Sequence, residues 1–554
     1  MLIIKRFQHN SSSSGYPMRR FFENETSELK AWWDSPRFAN VKRPYQPIDV
    51  IKHRGSMPLS ATHYPSSYQA GKLFKLLQEN FQNKTPLHTL GVIDPVQMTQ
   101  LSRCEQLKVV YLSGWACSST LVTPSNEVSP DFGDYPYTTV PNQVERIFKA
   151  QQLHDRKAFL ESFESKTDKM VDYLKPIIAD GDMGGSPNMC MKLAKLFAEK
   201  GAAAIHLEDQ LLGGKRCGHL GGAVIVPTGD QLSRLVATRF QWDIMGTENL
   251  IIARTDSCNA KLLSSSSDPR DHEFIKGVID PNLTAWSEEL IDMETTNTER
   301  SIIQERELKW YNNNQLMTFD EAVEMKFNNE EYKQYLTTKK HMMDKELKRP
   351  YLSLSELKMI AKRVSPSKEI YFNWDIPRTK EGYFMFKGCM EAATRRSLVF
   401  APYSDMTWLE TKTPDLVQAK DFARNIHDVY PWVKLVYNLS PSFNWTQNGF
   451  SETELKSFIW DLAKEGFILQ LVSLAGLHVN ALSFWELAQG FQSGGMDAYV
   501  KQIQQREKET DCDVLTHQKW SGAEYIDSVL QVIQNGSSSH TSTTSGESYT
   551  ESQF

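Results

Sequence analysis

No apolar run in this 554-residue chain reaches the roughly 18 residues that crossing a bilayer requires. Membrane insertion is therefore not expected. Cysteine is sparse: the seven residues stand at 104, 117, 190, 217, 258, 389 and 512, and no two form a CxxC pair. That spacing excludes a zinc ribbon or a disulfide framework as the organising feature, and it suits a reducing compartment. Positive charge is not in excess. The formal net charge is -6 with 40% hydrophobic residues, the balance of an ordinary globular protein rather than of a nucleic-acid surface. Acidic residues are missing ahead of Glu23, where Lys5, Arg6, Arg19 and Arg20 accompany a run of serines. Residues 1–25 accordingly read as an organelle transit segment rather than a secretory signal. Residues 535–554, rich in Ser and Thr, read as a flexible tail.

What is present is a rhythm. Eight short β-rich runs stand at 88–94, 108–114, 175–180, 203–208, 249–256, 406–410, 434–440 and 467–474, with amphipathic helical patterns between most of them. Val144, Ile147 and Phe148 mark one helix face; Leu193, Leu196 and Phe197 mark another, which Gly201 can stop. Strands alternating with helices predict a parallel sheet, and eight units predict an α/β fold closed as a (β/α)8 TIM-like barrel. A doubly wound open sheet is the second reading, but no GxGxxG follows the first strand. The rhythm breaks over residues 279–367, which are rich in Glu, Lys, Asn and Met. That stretch reads as a helical insertion between strands 5 and 6. The barrel then comprises residues 26–278 and 368–534, the latter with C-terminal helices.

The runs end on or beside Ser113, Asp180, Glu208, Arg254, Glu410, Ser440 and Ser473. Barrel enzymes place their chemistry at those C-terminal ends. Asp180, Asp182 and Glu208, with Asp131, form a set of hard oxygen donors suited to Mg2+, or to Mn2+ in its place. Helix capping or pairing with arginine is the structural alternative. In residues 215–222, KRCGHLGG, cations precede Cys217, and nearby cations favour the reactive thiolate. An inert loop cysteine is the alternative. Arg254 and the pair Lys215 and Arg216 are expected to contact substrate carboxylates. Asn438, Ser440, Ser442 and Asn444 follow a strand and offer amides and hydroxyls to a small carboxylate. A metal, carboxylate binders and a thiol together suit C–C cleavage of a hydroxy-polycarboxylate.

These motifs, with Ser113-Gly114-Trp115, residues 206–210, Ala253-Arg254-Thr255-Asp256 and Trp408-Leu409-Glu410-Thr411, resemble the isocitrate lyase and 2-methylisocitrate lyase family over residues 32–523. The resemblance implies Cys217 as the acid that protonates the succinate carbanion, and Asp180 as the direct metal ligand. Asp131, Asp182 and Glu208 match acids that hold the metal's waters. Ser113, Gly114, Trp115, Gly218, His219 and Arg254 match the neighbourhood of the oxo-acid product. Asn438, Ser440, Ser442 and Ser473 match the succinate pocket. His206 matches a group behind the site, and Glu410 is placed with it.

The resemblance further implies a tricarboxylate substrate, a homotetramer that exchanges C-terminal helices, and residence in the mitochondrial matrix. The reaction implied is cleavage of 2-methylisocitrate to pyruvate and succinate. Cleavage of isocitrate to glyoxylate is one alternative, and a catalytically weak barrel kept for binding or assembly is the other. Isocitrate lyases usually carry Phe and Thr where this chain has Leu471 and Ser473, smaller residues that leave room for one more methyl. Two departures stand out. The loop 180–186 is one residue shorter than the family pattern, which puts the placement of Asp182 at issue. Ala223 also replaces a common Lys.

Overall fold

The computed structural model describes residues 18–55, 64–122, 127–166, 170–217, 221–536 and 551. Gly218, His219, most of the transit-like segment and nearly all of the tail lie outside the described residues. The barrel strands are β1 (Leu87–Leu90), β2 (Val110–Leu112), β3 (Ile177–Asp180), β4 (Ala202–Glu208), β5 (Leu250–Thr255), β6 (Met406–Leu409), β7 (Lys434–Asn438) and β8 (Phe467–Val472). All pair in parallel, in the order β1-β8-β7-β6-β5-β4-β3-β2. A parallel bridge between Gly91 and Tyr111, with Val92 N–H donating to Tyr111 C=O at 3.0 Å, joins β1 to β2 and closes the ring. All eight expected runs are strands, and the barrel is the α/β fold expected.

β3, β4 and β5 are buried on both faces, which is why their runs are largely apolar rather than alternating. One parity fills the barrel: Tyr111, Ile178, Ala204, Ile252, Met406, Trp408, Val436, Leu469 and Leu471 form one interior cluster. Ala70, Leu73 and Leu77 of the helix Pro65–Asn83 join it beside Leu87, Ala203 and Leu250. The other parity packs outward. Ala179, Ile205, Leu207, Ile251 and Ala253 meet Val144, Ile147 and Phe148 of the helix Thr139–Ser165, and Leu193 and Phe197 of the helix Pro187–Lys200. Gly201 ends the second helix at φ +104, and a Cβ there would sit 2.7 Å from the Phe148 ring. Only glycine allows both the turn and the packing.

Between β5 and β6 the chain leaves the barrel. The helices Trp286–Thr295, Arg300–Asn313, Phe319–Lys326, Asn329–His341 and Leu354–Val364 lie in that excursion. Phe319, Val323, Tyr335, Leu357 and Ile360 give it a core of its own. Glu273 ties it down, pairing with Lys339 at 2.5 Å and with Arg395 at 2.7 Å. A small second sheet, Val224–Ile225, Leu262–Leu263 and Phe384–Met385, stands outside the expected strands. Strands of two residues carry no periodicity to read.

At the opposite end of the barrel from the strand termini, Asp405 sits between Arg37 at 2.6 Å and Arg239 at 2.5 Å, and accepts from Ile251 N–H at 2.8 Å. Burial opposes its charge, but the two guanidiniums prevail and hold its pKa down at about 2, from an ordinary 3.8. A depressed carboxylate stabilises the fold above its unfolded pKa and loses that contribution as pH falls through its folded one. Asp405→Asn is therefore expected to cost about 2–3 kcal/mol at pH 7. The deficit should shrink between pH 4 and pH 2. Urea unfolding of both proteins across that range checks it; an equal deficit at every pH would show that charge is not the cause.

Candidate active site

The inward parity that builds the core also builds the site. Continuing it to the C-terminal ends of the strands brings Asp180, Glu208, Arg254, Glu410, Asn438 and Ser473 into one pocket. Ser113, Trp115, Asp131, Lys215, Cys217, Ser440 and Ser442 complete its wall with Tyr111, Trp408 and Leu474. Most of the expected site residues therefore converge. Gly218 and His219 lie outside the described residues.

Asp180 is the most constrained acid. Its two oxygens accept from Gly114 N–H and Asp182 N–H, each at 2.9 Å, and His206 Nε2 stands 3.4 Å away. Ser113 opens the helix Gly114–Thr120 as its N-cap, which aims the Gly114 N–H at Asp180. A Cβ on Gly114 would lie 2.6 Å from Tyr135 Oη and 2.9 Å from the Asp180 carboxylate, so this position must be glycine. Burial works against the Asp180 charge, but His206, Lys215 and Arg254 outweigh it and hold its pKa below the ordinary carboxylate value.

His206 lies behind this acid rather than in the pocket. Its Nε2 meets Tyr111 Oη at 3.0 Å, and Trp408 packs edge-on with ring centres 4.7 Å apart. Burial pushes its pKa down to about 4 against the pull of Asp180, so the ring is neutral at physiological pH.

The shortened loop keeps Asp182 at the site. The residue takes φ +49, and its C=O accepts from Glu208 N–H at 2.9 Å. Its carboxylate is held by Tyr135 Oη and Lys215 Nζ. This is left-handed backbone at a non-glycine residue, a conformation in which aspartate is enriched. Lys215 departs from expectation. Lys215 turns into the acids instead of offering its charge to substrate: Nζ is 2.8 Å from Asp131 and 3.5 Å from Glu208, as well as paired with Asp182. Arg216 stacks over Phe132 at 4.6 Å and donates to Lys215 C=O at 2.6 Å. Leu471 also differs. It is fully buried in the barrel interior with Tyr111 and Trp408, a layer beneath the wall that Ser473 lines.

Arg254 is shared among three acids. Its Nε and Nη2 donate to Asp256 at 3.1 and 2.9 Å, and Nε stands 3.4 Å from Glu208 and 4.0 Å from Glu410. Glu410 is oriented by Trp408 Nε1–H at 2.9 Å and Asn438 Nδ2–H at 3.2 Å. Tyr111, Tyr135 and Trp408 had not been assigned site roles from sequence. The pattern that would have found Tyr111 and Trp408 is the inward parity of their strands.

A divalent cation fits this donor set. Three carboxylates, Asp131, Asp182 and Glu208, gather around the Lys215 ammonium, Asp180 accepts from the Asp182 N–H beside them, and buried Glu208 Oε1 makes no hydrogen bond. Burial lifts the Asp131 pKa to about 6 even against the pull of Lys215, with Asp182 and Asp180 adding to the rise. Among the described residues no three acid, His or Cys groups form a closed cage.

Fold and site together define a (β/α)8 barrel whose strand ends hold an acid cluster, a carboxylate-binding arginine and a thiol. A model of the Isocitrate lyase family matches residues 25–554, and the chain belongs to that family. It is 66% identical over 552 residues to the mitochondrial 2-methylisocitrate lyase of Saccharomyces cerevisiae, covering 100% of this chain and 95% of that one. It is 52% identical to the mitochondrial 2-methylisocitrate lyase of Hypocrea atroviridis, covering 96% of this chain and 94% of that one. Against the isocitrate lyase of S. cerevisiae identity is 40%, over 98% of each.

Proposed function

We propose that this chain is a carbon–carbon lyase that cleaves 2-methylisocitrate to pyruvate and succinate. The observation that carries the reading is the convergence of Cys217, Arg254 and Asp180 on one pocket, in a chain 66% identical to a protein named for that activity. Arg254, with Ser113 and Trp115, grips the oxo-acid half of the substrate; Asn438, Ser440 and Ser442 grip the succinate half. The substrate hydroxyl loses its proton to solvent as its oxygen becomes the oxo group of pyruvate. Cleavage leaves the C–C bonding pair on the succinate carbon, and the Cys217 thiol delivers the proton that fills that valence. Asp180, with Asp131, Asp182 and Glu208, would hold Mg2+ or Mn2+. When bound, the ion supplies Lewis-acid stabilisation of negative charge on the oxo-acid oxygen.

The relatives named above as mitochondrial and the acid-free opening segment support residence in the mitochondrial matrix. Among the described residues no helix is long and apolar enough to cross a membrane. Exposed Val479, Leu482, Phe484 and Trp485 on the helix Ala475–Gly494, with Ile526, Val532 and Ile533 on Ala523–Ile533, support a homotetramer that buries them.

Assaying the purified protein with Mg2+ on both acids, and measuring pyruvate and glyoxylate separately, tests the reading. Preferred glyoxylate release would assign it to isocitrate; no product from either would leave a binding or assembly role. Ser473 touches the pocket directly, so Ser473→Thr should cut the preference for 2-methylisocitrate over isocitrate by roughly 10–200-fold, the worth of one methyl. Leu471→Phe should act less cleanly, because extra volume at a fully buried position strains Tyr111 and Trp408. Ratios of kcat/KM for the two acids decide both.

A further inference from the structure

We infer that Asp209 and Arg396, which do not line the pocket, are positioning residues that set substrate affinity by fixing the guanidinium of Arg254. The inference rests on the lyase reading above. Three carboxylates compete for Arg254: Asp256, Glu208 and Glu410. Asp256 holds it through the Nε and Nη2 edge at 3.1 and 2.9 Å. That two-point grip sets the plane of the group and leaves Nη1, which makes no hydrogen bond to a described residue, for a substrate carboxylate.

What holds Asp256 in place is Asp209. Its Oδ1 accepts from the Asp256 N–H at 2.9 Å, and its Oδ2 accepts from Thr255 Oγ1 at 2.7 Å. The turn leaving β5 is thereby pinned to the end of β4. Asp209 follows Glu208 directly, and it serves this turn while Glu208 lines the pocket. Arg396, on the helix Met390–Phe400, secures Asp209 in turn: Nη1 donates to its Oδ2 at 2.9 Å, and Nη2 donates to Asp271 Oδ1 at 2.9 Å. Asp271 is itself anchored by Thr228 N–H at 2.8 Å and Thr228 Oγ1 at 2.7 Å. Every member of this chain is almost wholly buried, so its hydrogen bonds do not exchange with bulk water. Loosening it would free Arg254 to turn toward Glu208 or Glu410 and take its open edge away from substrate.

The test uses the full-length protein with Mg2+. Asp209→Asn keeps the shape and removes the charge that Arg396 and the turn require. Its KM for 2-methylisocitrate should rise roughly 10–100-fold, the usual scale for groups that orient a functional side chain, with kcat within about threefold of wild type. A change in KM alone is the signature of lost binding that is equal in ground and transition states. Inhibition by pyruvate, which needs Arg254, should weaken by the same factor, while inhibition by succinate should not change. Arg396→Lys, which keeps the charge but loses the two-point fork, should show the same pattern at smaller size and carries the test if Asp209→Asn does not fold. Unchanged pyruvate inhibition, or equal weakening of pyruvate and succinate, in an enzyme whose wild type cleaves the substrate would overturn the positioning role and leave the lyase reading standing. Absence of cleavage by the wild type would overturn the lyase reading, and this inference with it.

Discussion

Cys217→Ala should lower kcat by roughly 10²–10⁴-fold, the range for removing a general acid from a transition state, and leave KM nearly unchanged. Cys217 borders the same pocket as Arg254, Asn438 and Ser440, so its loss removes a proton donor but none of the groups assigned to hold the two halves of the substrate. Cys217→Ser is the sharper control. The hydroxyl keeps a polar hydrogen in nearly the same place but is a far weaker acid than a thiol, so most of the loss should persist. A second readout follows from the chemistry. In heavy water the wild type should deliver one deuterium to one face of the succinate methylene carbon. With the thiol gone, residual turnover takes its proton from water and that selectivity should fall. Full activity in Cys217→Ser would remove the thiol from the mechanism.

Asp180→Asn is expected to be at least as damaging, by roughly 10³-fold or more in kcat/KM, because Lewis-acid stabilisation is worth several kcal/mol. The substitution preserves size and removes charge. It also sets an amide NH2 beside the N–H groups of Gly114 and Asp182, both of which donate to the native carboxylate at 2.9 Å. One of those donors then faces another donor in a buried site. The binding consequence can be measured without turnover. At Mg2+ a hundredfold above its Kd, ligand binding stabilises the wild type by about 2.7 kcal/mol. A hundredfold weaker site gains only about 0.4 kcal/mol at the same concentration. Thermal or urea unfolding with and without Mg2+ therefore separates loss of the ion from loss of the fold. If the variant kept the whole stabilisation, Asp180 would not be the direct ligand.

Much of the fold was legible because a barrel strand announces itself locally. A run such as Ala202–Glu208 is buried along its whole length, so it reads as a short β-rich segment, and its polar last residue marks the pocket end. The insertion was legible for the opposite reason, since over residues 279–367 the β-rich runs stop and Glu, Lys, Asn and Met take over. The small second sheet was not, because two-residue strands are stabilised by what they pair with and not by their own composition.

The site divides in the same way. The residues that end the strands can be read along the chain, and with them the meeting of acids and Arg254 at one mouth: the period of a strand is two, and closure of the barrel turns one parity inward. Tertiary structure alone decided which charges pair. Lys215 and Arg216 are neighbours of one type, yet one is buried among Asp131, Asp182 and Glu208 and the other stacks on Phe132. Asp182 stays at the site because Tyr135, distant in sequence, holds it in a left-handed turn. Leu471 lies beneath the pocket wall and Ser473 on it, two residues apart on one parity. Depth along a barrel axis depends on register between strands, and register is set by hydrogen bonds between segments tens to hundreds of residues apart, which no local pattern records.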